Sequence, residues 1–388
     1  MKKPKKLPKG ISYRSDGRYS ARFVDRTGKR REKYFKTMPE ARNWLETAKY
    51  EDKHGGYRVD SDMTVDKWFT AWMESIRDVL ADNTLRNYTD RYTINIQPII
   101  GGMRLSQVKP IHCQRILNKM DADGYAASTV GHAYTTLGTM FRAAIANDLI
   151  TKHPLDTVKL KKAVNTKKDV VFLTVDEQEA FLAVAKHHRN YEQYSFLLET
   201  GLRIGEMIAL TWDDIDWDNH TISIRKSMEY RYETGVWKAG PPKTLKSYRT
   251  IPITDKAYSI LQELYKNRKK RKEAKELSQV LTYEDKRTGE KKNFCMRNLV
   301  FLNWRTGMPT KTSSYDTYLN KITQLANIKH ISAHSLRHTY ATRAVERGVS
   351  PYVLQNLLGH ESIQTTMGTY VHATDESLYE AVRIFEGK

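Results

Sequence analysis

The sequence predicts a multidomain, helix-rich protein. A small α+β unit of three strands and one helix comes first, then an all-α domain, then a mixed, mainly-α domain with a small antiparallel sheet. Three observations carry this. The chain of 388 residues is too long for one ordinary domain and suits two or three. Strand-like alternation opens the chain and helical periodicity replaces it up to about residue 160. The stretch "LKKAVNTKKD", 160–169, is polar and basic without periodic apolar residues and reads as a linker before sequence in which helices and strands mix. The expected domains are therefore 1–56, 62–160 and 170–388.

In residues 11–36 aromatic or apolar residues alternate with basic ones, interrupted by the turn signals "SDG" and "RTG", which gives three antiparallel strands. The segment 38–52 places Ala41, Trp44, Leu45 and Ala48 on one side of a helix that can back this sheet. After Gly55-Gly56, four helices are expected at Val65–Val79, Asn83–Ile96, Lys109–Asp123 and Ala127–Asn147. Beyond the linker, "TVDEQEAFLAVAKHHR" begins with a Thr/Asp cap, and two further helices flank the break at Thr200-Gly201. "HTISIRKSMEYRY" and "SYRTIPI" alternate as strands, joined by "KAGPPKTLK" as a turn. Helices return at Asp255–Glu276, Ser313–Ala326, Ser335–Arg347, Pro351–Leu358 and Ser362–Tyr370, with "KNRKKRKEAKE" read as an exposed helix end.

A net charge of +20, spread along the chain, points to a polyanionic partner. Nucleic acid ranks ahead of a membrane surface because no amphipathic basic anchor stands out. Arg14, Arg18, Arg22, Arg30 and Arg31 in the N-terminal strands are candidate DNA contacts. Cys113 and Cys295 have no Cys or His neighbours at zinc-ligand spacing, so no metal site is expected and both read as free buried thiols in a reducing cytoplasm. No apolar run approaches the roughly 20 residues needed to cross a bilayer.

The stretch "AHSLRHTYAT" puts His334 and Arg337 three apart and hence on one helical face, with His338 expected to point elsewhere. "TGLRIGE" starts a helix with Arg203 and places Glu206 one turn on, able to hold the guanidinium. "PPKTLKSYR" presents Lys243 at a turn, "LLGH" presents His360, and Tyr370 lies near the end of the following helix. Two arginines offer planar donor forks that match the non-bridging oxygens of a phosphate and stabilise charge building there. The lysine and histidines add hydrogen bonds and proton transfer. Tyr370 supplies an oxygen nucleophile whose pKa of about 10 falls when cations surround it. With no carboxylate cluster for two metals and no Walker loop, the set suits transesterification without cofactor, metal or ATP.

The ordered set Arg203, Lys243, His334, Arg337, His360 and Tyr370 resembles the tyrosine recombinase (phage integrase) family. The whole chain resembles the layout of its integrases from conjugative transposons and temperate phages: an arm-site-binding domain, a SAM-like core-site-binding domain and a catalytic domain. The resemblance implies that Tyr370 attacks the scissile phosphate to form a 3′-phosphotyrosyl link and free a 5′-hydroxyl. Arg203 and Arg337 would grip the phosphate, Lys243 would act as general acid, and His334 and His360 would bind phosphate and shuttle protons. Lys246, three residues from Lys243, is the other lysine of that turn. It also implies a homotetramer on double-stranded DNA with core and arm attachment sites, an excisionase and a host DNA-bending protein. A type IB topoisomerase shares the nucleophile but would not synapse two duplexes, and a non-catalytic DNA-binding regulator would leave the six-residue set as coincidence. The tail "DESLYEAVRIFEGK", 375–388, carries Leu378, Ala381, Val382 and Phe385 as an apolar stripe suited to a neighbouring protomer or to its own domain.

Overall fold

The structure, a computed structural model, describes residues 7–25, 28–53, 63–161, 170–270, 274–303 and 305–370. Residues 54–62, most of the expected linker (162–169) and the tail 375–388 with its expected apolar stripe lie outside the described residues. The chain divides into two compact units, Met1–Thr166 and Lys167–Lys388.

The first unit contains two separate apolar cores. Strands β1 (Ile11–Tyr13), β2 (Tyr19–Val24) and β3 (Arg30–Phe35) form an antiparallel sheet in that order, and α1 (Met38–Lys53) packs on one face. The two-residue period sends Ala21 and Phe23 toward Ala41, Leu45 and Ala48, with Trp44 against the rings of Phe23 and Phe35. The helical part follows with α2 (Val65–Ser75), whose N-cap Thr64 accepts from the Lys67 N–H.

The expected helix at Asn83–Ile96 is longer than predicted and irregular. It comprises α3 (Asp82–Arg91), a π-helical turn at Tyr92–Ile96 and α4 (Gln97–Ile100). The extra residue per turn brings Tyr92 and Ile96 into the core, where Tyr92 stacks on Phe69 at 3.7 Å and its hydroxyl donates to Asp66 Oδ1 at 2.6 Å. α5 (Pro110–Ala122) and α6 (Ala127–Ala146) end within a residue of expectation; Cys113 on α5 is buried as expected, whereas Cys295 is only partly buried.

In the second unit α7 (Val175–Ala185) starts at the expected capping box, with Thr174 and Glu177 exchanging hydrogen bonds. α8 (Tyr191–Thr200) is the core helix, buried nearly all round through Tyr194, Phe196, Leu197 and Leu198. α9 (Ile204–Ile208) follows it directly. The next strands are β4 (Ile215–Asp216), β5 (Thr221–Ile224), β6 (Ser227–Arg231), β7 (Val236–Gly240) and β8 (Arg249–Pro252).

The single strand expected across 220–232 is two strands in different sheets: β5 pairs with β8, and β6 with β7. The break falls at Lys226, whose ammonium turns inward to Asp214 and Thr211. Residues 238–240, expected in a turn, are the end of β7. α10 (Asp255–Lys266) stops ten residues before the predicted Glu276, because the succession of like charges from Arg268 on cannot extend a helix that has little left to bury. An unpredicted hairpin follows, β9 (Val280–Glu284) with β10 (Lys291–Cys295). Then come α11 (Thr312–Leu325), α12 (Ala333–Glu346), α13 (Pro351–Leu358) and α14 (Ile363–Tyr370). α12 lies along α8 and contacts α13 and α14, which brings the predicted motifs together. Among the described residues no helix is long and apolar enough to cross a membrane.

Candidate active site

The site is built on two helix C-termini. α8 ends at Gly201 with φ +63°, and a Cβ there would lie 2.3 Å from the ring of Tyr340 on α12. Only glycine satisfies both the left-handed turn and the ring. α13 ends in the same way at Gly359, φ +66°, where a Cβ would press on Arg249 and the Ser247 backbone at 3.0–3.2 Å.

The last carbonyls of a helix have no partner within it and carry its negative dipole end. Three arginines take those of α13. Arg249 donates to Leu357 O (2.7 Å), Arg337 to Leu358 O (2.7 Å) and Arg203 to Gly359 O (3.3 Å). Arg337, only 1% exposed, also donates to Gly201 O at 2.8 Å, so one guanidinium ties both helix ends.

Arg203 caps α9, and Glu206 one turn on accepts from both its backbone N–H (3.0 Å) and its guanidinium (2.8 Å). The expected Arg203–Glu206 contact is there, but Glu206 has a second partner: Arg249 donates to its two oxygens at 3.2 and 2.8 Å. Burial alone would raise the Glu206 pKa, yet Arg249 first, then Arg203 and Arg337, hold it down at about 2. Arg249 escaped the sequence reading. Its signal was a glutamate with more lone pairs than one arginine fills and a second arginine in the short strand that follows the lysine loop.

His334, Arg337 and His338 all lie on one face of α12. The rings of His334 and His338 meet edge to face at 4.5 Å, which corrects the expectation that His338 points elsewhere. Positions four apart on a helix are neighbours just as those three apart are. Burial lowers the pKa of all three site histidines. For His334 Arg337 and Arg203 add to it; His338 is brought to about 4 with help from His334 and Arg337. His360, following Gly359, is brought to about 4 by burial and then Arg337, Arg203, Arg249 and His334. Its Nδ1 is 2.9 Å from Thr366 Oγ1 on α14. Tyr370 is the last residue of α14, one helical turn beyond Thr366.

Lys243 is exposed in the loop between β7 and β8, while Lys246 donates to Glu361 O at 3.0 Å. Ser247 Oγ donates to Gly359 O at 3.3 Å. The structure thus brings Arg203, His334, Arg337 and His360 together and sets the lysine loop against the same helix end. The result is a cation-rich cluster, from buried Arg337 to partly exposed Arg203, with imidazoles beside it, whose chemistry suits an oxyanion.

In the N-terminal sheet Arg14, Arg18, Arg22 and Arg30 are exposed, the first two beside Tyr34 at 4.7 and 5.7 Å from its ring. Arg31 does not join them. It pairs with Phe23 across the ladder and so shares the helix-facing side of the sheet, where its guanidinium bonds the buried Asp25 at 2.9 Å.

The model of the phage integrase family matches residues 171–377, and that of the phage integrase N-terminal SAM-like domain matches 64–120. The chain belongs to the phage integrase family. This integrase is 30% identical over 303 residues to the transposase from transposon Tn916 of Enterococcus faecalis, covering 74% of this chain and 69% of that one. It is 28% identical over 379 residues to a XerC-like tyrosine recombinase of Caldanaerobacter subterraneus subsp. tengcongensis, covering 92% of each. Among solved structures it is similar to the Tn1549 transposon integrase in complex with a circular intermediate DNA, with TM-score 0.69, 26% identity, and coverage of 83% of this chain and 99% of that one. The integrase is a site-specific tyrosine recombinase, an enzyme that cuts and rejoins DNA. A topoisomerase or a regulator is not favoured.

Proposed function

We propose that the recombinase integrates and excises a mobile element by transesterification at Tyr370. The Tyr370 hydroxyl oxygen bonds to the scissile phosphorus as the bond to the 5′-oxygen breaks. The tyrosine proton passes to a neutral imidazole, His334 or His360, and the leaving 5′-oxygen takes a proton from Lys243. Arg203 and Arg337 bind the non-bridging oxygens and stabilise charge as it builds. A 5′-hydroxyl of the partner strand then reverses the steps, so the phosphodiester energy is kept.

One observation carries this reading. Arg203 and Arg337 converge with His334 and His360 on the C-terminus of α13, from which α14 leads to Tyr370. The arginines are already oriented by carbonyls and Glu206, which is the preorganisation phosphoryl transfer requires.

Residues 170–388 would be the catalytic domain, 62–160 would clamp core-site DNA and 1–56 would hold arm sites through Arg14, Arg18, Arg22 and Arg30. A homotetramer acting in the cytoplasm, assisted by an excisionase and a host DNA-bending protein, completes the reading. The test is a supercoiled plasmid carrying the joined ends of the encoding element together with a target site. Recombinant plasmids that require both sites support integration and excision. Relaxation without recombinants would move the reading to a topoisomerase, and tight binding with neither product to a regulator.

A further inference from the structure

The β9–β10 hairpin supplies none of the residues just described, yet its turn reaches the lysine loop. Lys286 Nζ donates to the Lys243 carbonyl at 3.2 Å, and the Lys286 backbone N–H donates to the Tyr248 hydroxyl at 2.9 Å. The Arg287 guanidinium lies over the Tyr248 ring, 4.4 Å from its centre. These contacts grip the loop at both ends, residues 243 and 248, while Lys246 and Ser247 between them hold carbonyls after α13.

The turn is itself fixed. The buried Asp285 carboxylate accepts from the Arg287 backbone N–H at 2.9 Å and its guanidinium at 3.1 Å, and Gly289, at φ +72°, donates to the Asp285 carbonyl at 2.7 Å. β9 runs beside β7, the strand that leads into the loop. The hairpin is thus an anchored brace on one side of the segment that carries Lys243.

We propose that Lys286, Arg287 and Tyr248 are positioning residues that hold the 243–248 backbone so that the Lys243 ammonium reaches the leaving 5′-oxygen. The inference rests on the reading of Lys243 as general acid. A lysine is a point charge on four flexible carbons, so where its backbone stands decides how often the proton arrives in line. A displacement of about 1 Å at a reacting group can cost on the order of a hundredfold in rate. The step is the transfer of one Nζ proton to O5′ as the phosphorus–oxygen bond breaks.

The experiment is single-turnover cleavage, at saturating protein, of a duplex bearing the joined ends of the element. One version has the natural 5′-bridging oxygen, the other a 5′-bridging sulfur, which leaves as a thiolate far less basic than an alkoxide and so needs no proton. The full-length Lys286→Ala/Arg287→Ala variant removes two exposed side chains, and Tyr248→Phe removes one hydroxyl without changing charge. We expect the double variant to cleave the oxygen substrate about tenfold slower and Tyr248→Phe about three- to fivefold slower, both within about twofold of wild type on sulfur. Wild-type rates on both substrates, or equal slowing on both, would overturn the proposal. Lys243→Ala is run beside them. If sulfur fails to rescue it, the general-acid reading itself falls, whatever the hairpin variants do.

Discussion

Glu206→Gln isolates the ion-pair core of the site. The carboxylate accepts four hydrogen bonds, two from Arg203 and two from Arg249, and is 4% exposed. Glutamine keeps the volume but turns an NH2 group toward donors and leaves Arg249, its side chain 6% exposed, without its countercharge. Removing one partner of a buried pair costs about 3–5 kcal/mol. The retained amide oxygen still accepts, so the lower end, about 3 kcal/mol, is expected here. For a unit of this size that corresponds to a fall in Tm of about 6–12 °C. The assay is calorimetry of the full chain, following the transition of the second unit, with single-turnover DNA cleavage measured below it. A loss under about 1 kcal/mol with wild-type cleavage would refute the idea that Glu206 orients Arg203 and Arg249.

Further outcomes follow from the same geometry. Gly201→Ala should cost about 1–2 kcal/mol for the left-handed backbone alone and more for the contact with Tyr340, a loss read in urea melts. Lys226→Met should destabilise by about 3 kcal/mol by leaving Asp214 buried and unbalanced, and adding Asp214→Asn should restore part of it in the same melts. With His338 and His360 at about 4 against 6.5, the unfolded chain binds more protons between these values, so stability falls as pH drops through that window and is unaffected above it. A bound phosphate favours the charged imidazoles, so DNA binding near pH 6 should take up protons, measurable by titration calorimetry in buffers of different ionisation enthalpy.

The helical domain was legible because its apolar periodicity is long and its caps are plain: α5 and α6 follow the pattern almost to the residue. The π-helical turn was not, since the Asp66–Tyr92 contact that accompanies it spans 26 positions. The same holds for the strand break at Lys226, whose cause is a long-range partner, Asp214. The β9–β10 hairpin has a signal in the sequence, alternating "VLTYE" and the turn residues "DKRTGE", but the charge run before it continues the helical pattern of α10 and masks where the strand begins. In the site, order along the chain marked Arg203, Arg337, His334 and His360. The break at Thr200-Gly201 was visible in the sequence, but Arg249 and the arginine-bridged carbonyls of the two helix ends emerge only in the structure. Arg31 illustrates the limit of composition: its position in the pleat, not its charge, turns it toward Asp25.

The most direct test of the account is covalent capture. A supercoiled plasmid carrying the joined ends of the element is incubated with full-length protein, stopped with detergent and examined for protein bound to DNA, with wild type and Tyr370→Phe side by side. An adduct is expected with wild type alone, through a 3′-phosphate to Tyr370. An adduct of equal yield with Tyr370→Phe, or a tryptic phosphopeptide mapping to another residue, would contradict it.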